Sequence, residues 1–158
     1  MLIGMRMARK LTRREEALAA WMRFLDGLAA ALGYVDDPLP DVLERLAVAD
    51  LPGDARLAAV LADAAEWMRE DRSMGFADAL DTERAFADLD STDAAALLPL
   101  IRELGGTARP QQTARIDSAR AALKAQAAQA SDRTGRQKRL FVSLGSLGGL
   151  ALFLCLIG

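Results

Sequence analysis

Histidine is absent from this chain of 158 residues, which removes the commonest general base and the commonest metal ligand. The one cysteine, Cys155, lies in an apolar stretch, so no disulfide within the chain is possible. Aromatic residues number only eight, five Phe, two Trp and one Tyr, and Val, Ile and Thr are sparse beside Ala and Leu. That balance disfavours sheet and favours helix. Several signatures are also missing: there is no GxxxxGK[ST], CxxC, HExxH or GxSxG, and no calcium-loop spacing. The acidic pairs Asp36 with Asp37, Asp41 with Glu44, and Asp88 with Asp90 therefore read as solvated surface. No catalytic, cofactor or metal residue is assigned.

Charge is scarce in the right places to divide the chain. Residues 1–14 hold five basic groups and no acid, and residues 132–139 hold four basic groups against one acid. The intervening 117 residues carry 11 basic and 21 acidic groups, and the whole chain is at −2. An acidic body of this kind is not drawn to nucleic acid, whereas basic ends suit anionic lipid head groups.

The longest charge-free run is Leu140 to Ile157, LFVSLGSLGGLALFLCLI. Eighteen helical residues rise roughly 27 Å, close to the roughly 30 Å hydrocarbon core of a bilayer. Arg133, Arg136, Lys138 and Arg139 stand just before it, so the positive-inside rule places that end, and residues 1–139, in the cytoplasm. Residues 140–158 are thus expected to form a C-terminal transmembrane helix. The alternative is a soluble helical interaction module with this helix buried. Gly145 and Gly149 form a GxxxG that would let a partner helix approach closely.

Between the basic ends, apolar residues recur at helical spacing. Leu18, Trp21, Met22, Leu25, Leu28, Ala29 and Leu32 form one stripe from Arg14 to Leu32, with Trp21 assigned to the core. A second helix opens at Pro40 and Asp41, with Leu39, Val42, Leu43 and Leu46 inward. Asp54 is placed to cap a third, striped by Leu57, Val60, Leu61, Ala64, Trp67 and Met68. A shorter fourth starts at Phe76 and ends near Phe86 to Asp90. Ser91 is assigned as cap of a fifth, which faces Leu97, Leu98, Ile101 and Leu104 inward and contains Pro99. A sixth, from Gln111 to Ser131, carries Ile116, Ala119, Leu123, Ala127 and Ala130 on a narrow seam. Short connections between such helices imply an all-α, up-and-down six-helix bundle over residues 14–131. Residues 1–13 form a basic N-terminal segment, too short in apolar residues for a signal peptide. Residues 132–139 form a juxtamembrane linker, either a hinge or a continued helix.

Four stretches, ARKLTRREEAL (Ala8 to Leu18), PLPDVLERLA (Pro38 to Ala47), DAAALLPLIRELG (Asp93 to Gly105) and LGSLGGLALFLCLI (Leu144 to Ile157), resemble in order and spacing the stage III sporulation protein AB family of spore-forming bacteria. The resemblance implies a bundle like the cytoplasmic domain of type II secretion F proteins and a non-enzymatic platform role in the sporulation assembly between mother cell and forespore. It also implies a secretion-type ATPase and other membrane proteins of that complex as partners, with homo-oligomer formation open. Family members usually begin with an apolar membrane segment, and here Met1 to Met5 stands where it should end. Either the true start lies upstream or this member has a single span. The acidic loop Asp36, Asp37, Asp41 and Glu44, near a bundle end, is the expected partner contact.

Overall fold

The longest helix among the described residues, α1 (Leu2–Tyr34), buries one face of its second half in the core. The computed structural model describes residues 2–34, 37–49, 54–104 and 111–129. They form α1, α2 (Leu39–Ala49), α3 (Ala55–Glu70), α4 (Phe76–Ala79), α5 (Thr82–Ala85), α6 (Ser91–Glu103) and α7 (111–129). No strand occurs among the described residues, in keeping with the shortage of β-branched and aromatic residues.

α1 persists from Leu2 through the basic turn because Met, Arg, Ala, Lys and Leu are good helix formers and no proline interrupts them. The boundary expected at Arg14 is absent. From Ala17 onward α1 buries Leu18, Trp21, Phe24, Leu25 and Leu28. α2 and α3 pack against each other as a hairpin, α2 also meets α1, α3 supports α4 and α5, and α4 meets α6. One continuous core results, from Leu18 through Val42, Leu61, Phe76, Leu97 and Ile101 to Ile116 and Leu123 on α7.

At its centre Trp21 is 1% exposed, as its place on the α1 stripe requires. Its ring meets Phe24 edge-on, with centroids 5.6 Å apart and planes at 87°, and Phe86 at 5.6 Å and 49°. Its indole N–H reaches the Ala85 carbonyl at 3.4 Å. The only polar group of this aromatic side chain thus has an acceptor inside the core.

The fold expected from the sequence, a six-helix up-and-down bundle with a C-terminal transmembrane helix, is corrected in two respects. Seven helices are present among the described residues, because the fourth expected helix is two single turns, α4 and α5, split at Leu80 and Asp81. Asp81 turns its carboxylate onto the Arg84 N–H and so starts a new helix instead of continuing the old one. Second, among the described residues no helix is long and apolar enough to cross a membrane. α1, at 33 residues, has the length, but Arg6, Arg9, Lys10, Arg13, Arg14, Glu15 and Glu16 break its apolar character. The run 140–158, with Gly145 and Gly149, lies outside the described residues, as do Arg133, Arg136, Lys138 and Arg139.

Two finer expectations also change. Trp67, assigned to the inner stripe of α3, is 56% exposed, because Ala64, Ala65 and Leu61 fill the inward face. Leu100 is buried where Leu98 was expected to be, and Leu98 is half-buried. Pro99 lies inside α6 on its exposed side, where its ring removes the N–H that the Ala95 carbonyl would otherwise accept.

Candidate functional site

α6 begins with a reciprocal cap. Asp90, rather than Ser91, is the N-cap: its Oδ1 accepts from the Thr92 and Asp93 N–H groups, each at 3.0 Å. Asp93 answers by accepting the Asp90 N–H on Oδ2 at 3.1 Å. The pattern D-x-x-D works as a capping box, and both carboxylates lie at the positive end of the helix dipole.

Arg14 completes this arrangement from α1. Its Nε donates to Asp93 Oδ2 at 2.7 Å and its Nη2 to Asp93 Oδ1 at 2.9 Å. The same Nη2 lies 2.8 Å from Asp90 Oδ2. The Asp93 side chain is wholly buried, Arg14 is 13% exposed and Asp90 43%. Among the described residues no buried side-chain polar atom lacks a hydrogen-bond partner.

The burial of Asp93 by itself would push its carboxyl up. The hydrogen bonds from Arg14 and from the Asp90 N–H, with the Arg14 charge, overcome this and hold it below the usual carboxylate range. Arg14 is held above its ordinary value by the Asp93 hydrogen bond, against the desolvation that opposes it. This cluster is a charged clasp between α1 and α6. Both carboxylate oxygens of Asp93 are engaged, so the cluster ties α1 to the first turn of α6.

The acidic loop expected to meet a partner is divided by the structure. Asp36 lies outside the described residues. Asp37 pairs with Arg45 at 2.9 Å, while Asp41 and Glu44, one turn apart on α2, both accept from Arg69 Nη2 of α3, at 2.8 and 2.5 Å. These carboxylates are therefore partly neutralised. Every member is substantially exposed, so the pairs are weak and can be exchanged for others. Beside them an open groove of about 610 Å³ is floored by Pro38, Pro40, Met68 and Met74 and edged by Arg69 and Arg72. Proline supplies a rigid apolar wall and methionine an adaptable one, a surface suited to a protein segment. α7 is secured to α1 by Arg120 with Asp26, and to the end of α6 by Arg115 with Glu103 at 2.8 Å.

No group of three or more potential metal ligands occurs among the described residues. The stage III sporulation protein AB (spore_III_AB) family model matches residues 1–157. The chain belongs to this family. Its role accordingly lies in stage III of sporulation. Comparison with curated proteins and with solved structures gave no match. Within the family-matched span, the clasp joins two of the four stretches that carry the resemblance, Arg14 from ARKLTRREEAL and Asp93 from DAAALLPLIRELG.

Proposed function

We propose that this stage III sporulation protein AB family member is a non-enzymatic assembly subunit of a secretion-like complex between mother cell and forespore. In this reading it sits on the cytoplasmic side of the membrane and engages a secretion-type ATPase. The observation that carries it is the family match over residues 1–157. The helical body of the described residues, in which the Arg14–Asp93 clasp ties α1 to the start of α6, suits a structural subunit. The ATPase contact is assigned to the opening of α2, to Asp37, Asp41 and Glu44, beside the groove of Pro40, Met68 and Met74. A cationic edge of the ATPase would displace Arg69 from Asp41 and Glu44, exchanging one set of exposed ion pairs for another.

The test uses a spore-forming host. A tagged full chain recovered from the membrane fraction of sporulating cells should bring the ATPase with it, and deletion should arrest development at stage III. Recovery of the chain free of membranes and of any ATPase would overturn the reading.

A further inference from the structure

One face of α3 is exposed, and among the described residues its one ion-pair partner is Arg84. Ala59, Ala62, Asp63, Glu66, Trp67 and Glu70 follow one another at spacings of three, one, three, one and three, so they share one side of the helix, and all are exposed. Trp67 is the one tryptophan that the core does not take. Among the described residues Glu66 and Glu70 have no ion-pair partner, and Asp63 has only an exposed contact with Arg84 at 3.1 Å. An indole bordered by carboxylates is the chemistry that receives a guanidinium: the ring face attracts the cation, and the flanking oxygens take its N–H groups.

The matching cations lie on α1. Arg9, Lys10 and Arg13 are exposed, line a shallow depression of about 250 Å³ with Asp88, and have no ion-pair partner among the described residues. Asp88, the acid among them, is already held by Arg56 at 2.6 Å. Arg9 and Arg13 are four residues apart, the same rise of roughly 6 Å that separates Asp63 from Trp67. The two faces belong to different parts of one chain and carry opposite charge.

We propose that the α3 face of one copy receives the Arg9–Arg13 turn of a second copy, with Arg9 or Arg13 over the Trp67 indole and Glu66 and Glu70 at its sides. Pairing of the α3 face with itself would set carboxylate against carboxylate, so α3 of one copy meets α1 of the other. The two contacts of a pair can be reciprocal about a two-fold axis, whereas a head-to-tail contact continues from copy to copy unless the rotation closes a ring. The inference does not rest on ATPase engagement, which was assigned to Asp41 and Glu44 of α2.

Sedimentation of the full chain, in one detergent throughout, tests it. The mass at about 0.05 M salt should be at least double that at about 1 M, because exposed pairs are screened at high ionic strength. Glu66→Arg with Glu70→Arg, or Arg9→Glu with Arg13→Glu, should abolish that difference, and all four changes in one chain should restore it. Trp67→Ala, which alters no charge, should reduce it and serves as the second arm should a reversed chain fail to fold. A mass that does not respond to salt, or an association untouched by the reversals or by Trp67→Ala, would overturn the proposal.

Discussion

Arg14 and Asp93, 79 positions apart, meet through two hydrogen bonds of 2.7 and 2.9 Å at the point where α6 starts. The carboxylate has no exposed surface, so removing its partner leaves a buried charge uncompensated. Loss of one member of a buried pair costs about 3–5 kcal/mol. Arg14 retains an exposed edge, which puts Arg14→Met near the lower end of that range, about 3 kcal/mol. Arg14→Met combined with Asp93→Leu should cost less than the two single changes together. Urea unfolding of the four chains gives the coupling directly.

The same carboxylate sets an acid limb. Its value in the fold is lowered, by Arg14 and the Asp90 N–H acting against burial, below the roughly 3.9 of an unfolded aspartate. Its contribution is therefore complete above about pH 4 and is lost as pH falls through the lowered folded value. Stability measured from pH 7 down to pH 3 should decline at the acid end, and Asp93→Asn should flatten that part of the decline.

Two tryptophans should respond oppositely to truncation. Trp21 is enclosed by Phe24 and Phe86, and Trp21→Ala should cost about 3–5 kcal/mol. Trp67→Ala removes an exposed side chain and should stay within about 0.5 kcal/mol. Thermal or urea unfolding of the two variants separates a core position from a surface one.

Asp54 accepts from the Arg56 and Leu57 N–H groups at 3.2 and 3.0 Å and so caps α3. Asp54→Ala should lower stability by about 1 kcal/mol, and Asp54→Ser should recover most of it, in the same unfolding assay.

Much of this architecture was legible because helical spacing reports burial directly. Leu18, Trp21, Leu25 and Leu28 on α1, Leu57, Val60, Leu61 and Ala64 on α3, and Ile116, Ala119 and Leu123 on α7 were all expected inside and are buried. Asp54 was legible as a cap because its acceptor serves N–H groups only two and three residues away. Trp67 was misassigned because it follows the stripe in sequence. The inward face near the end of α3 is taken by Ala64, Ala65 and the partly buried Met68 instead.

The clasp was not legible at all. Arg14 belongs to a run of cations that reads as surface, and Asp93 reads as one more acid near a helix start. Only the fold brings them together. The D-x-x-D spacing of Asp90 and Asp93 was the one local signal, since it satisfies a capping box, and assigning the cap to Ser91 concealed it. The ion pairing of the acidic loop was not legible either: the sequence displays Asp41 and Glu44 but not that Arg69, 25 residues beyond Glu44, pairs with both.

Binding of the purified full chain to the purified secretion-type ATPase of the same host tests the central claim most directly. Titration calorimetry should show saturable binding that weakens at least tenfold, about 1.4 kcal/mol, when Asp41 and Glu44 are both changed to Lys, while helical content is retained. Absence of binding by the unmodified chain would contradict the assembly role, and binding unchanged by the two reversals would contradict the assigned surface.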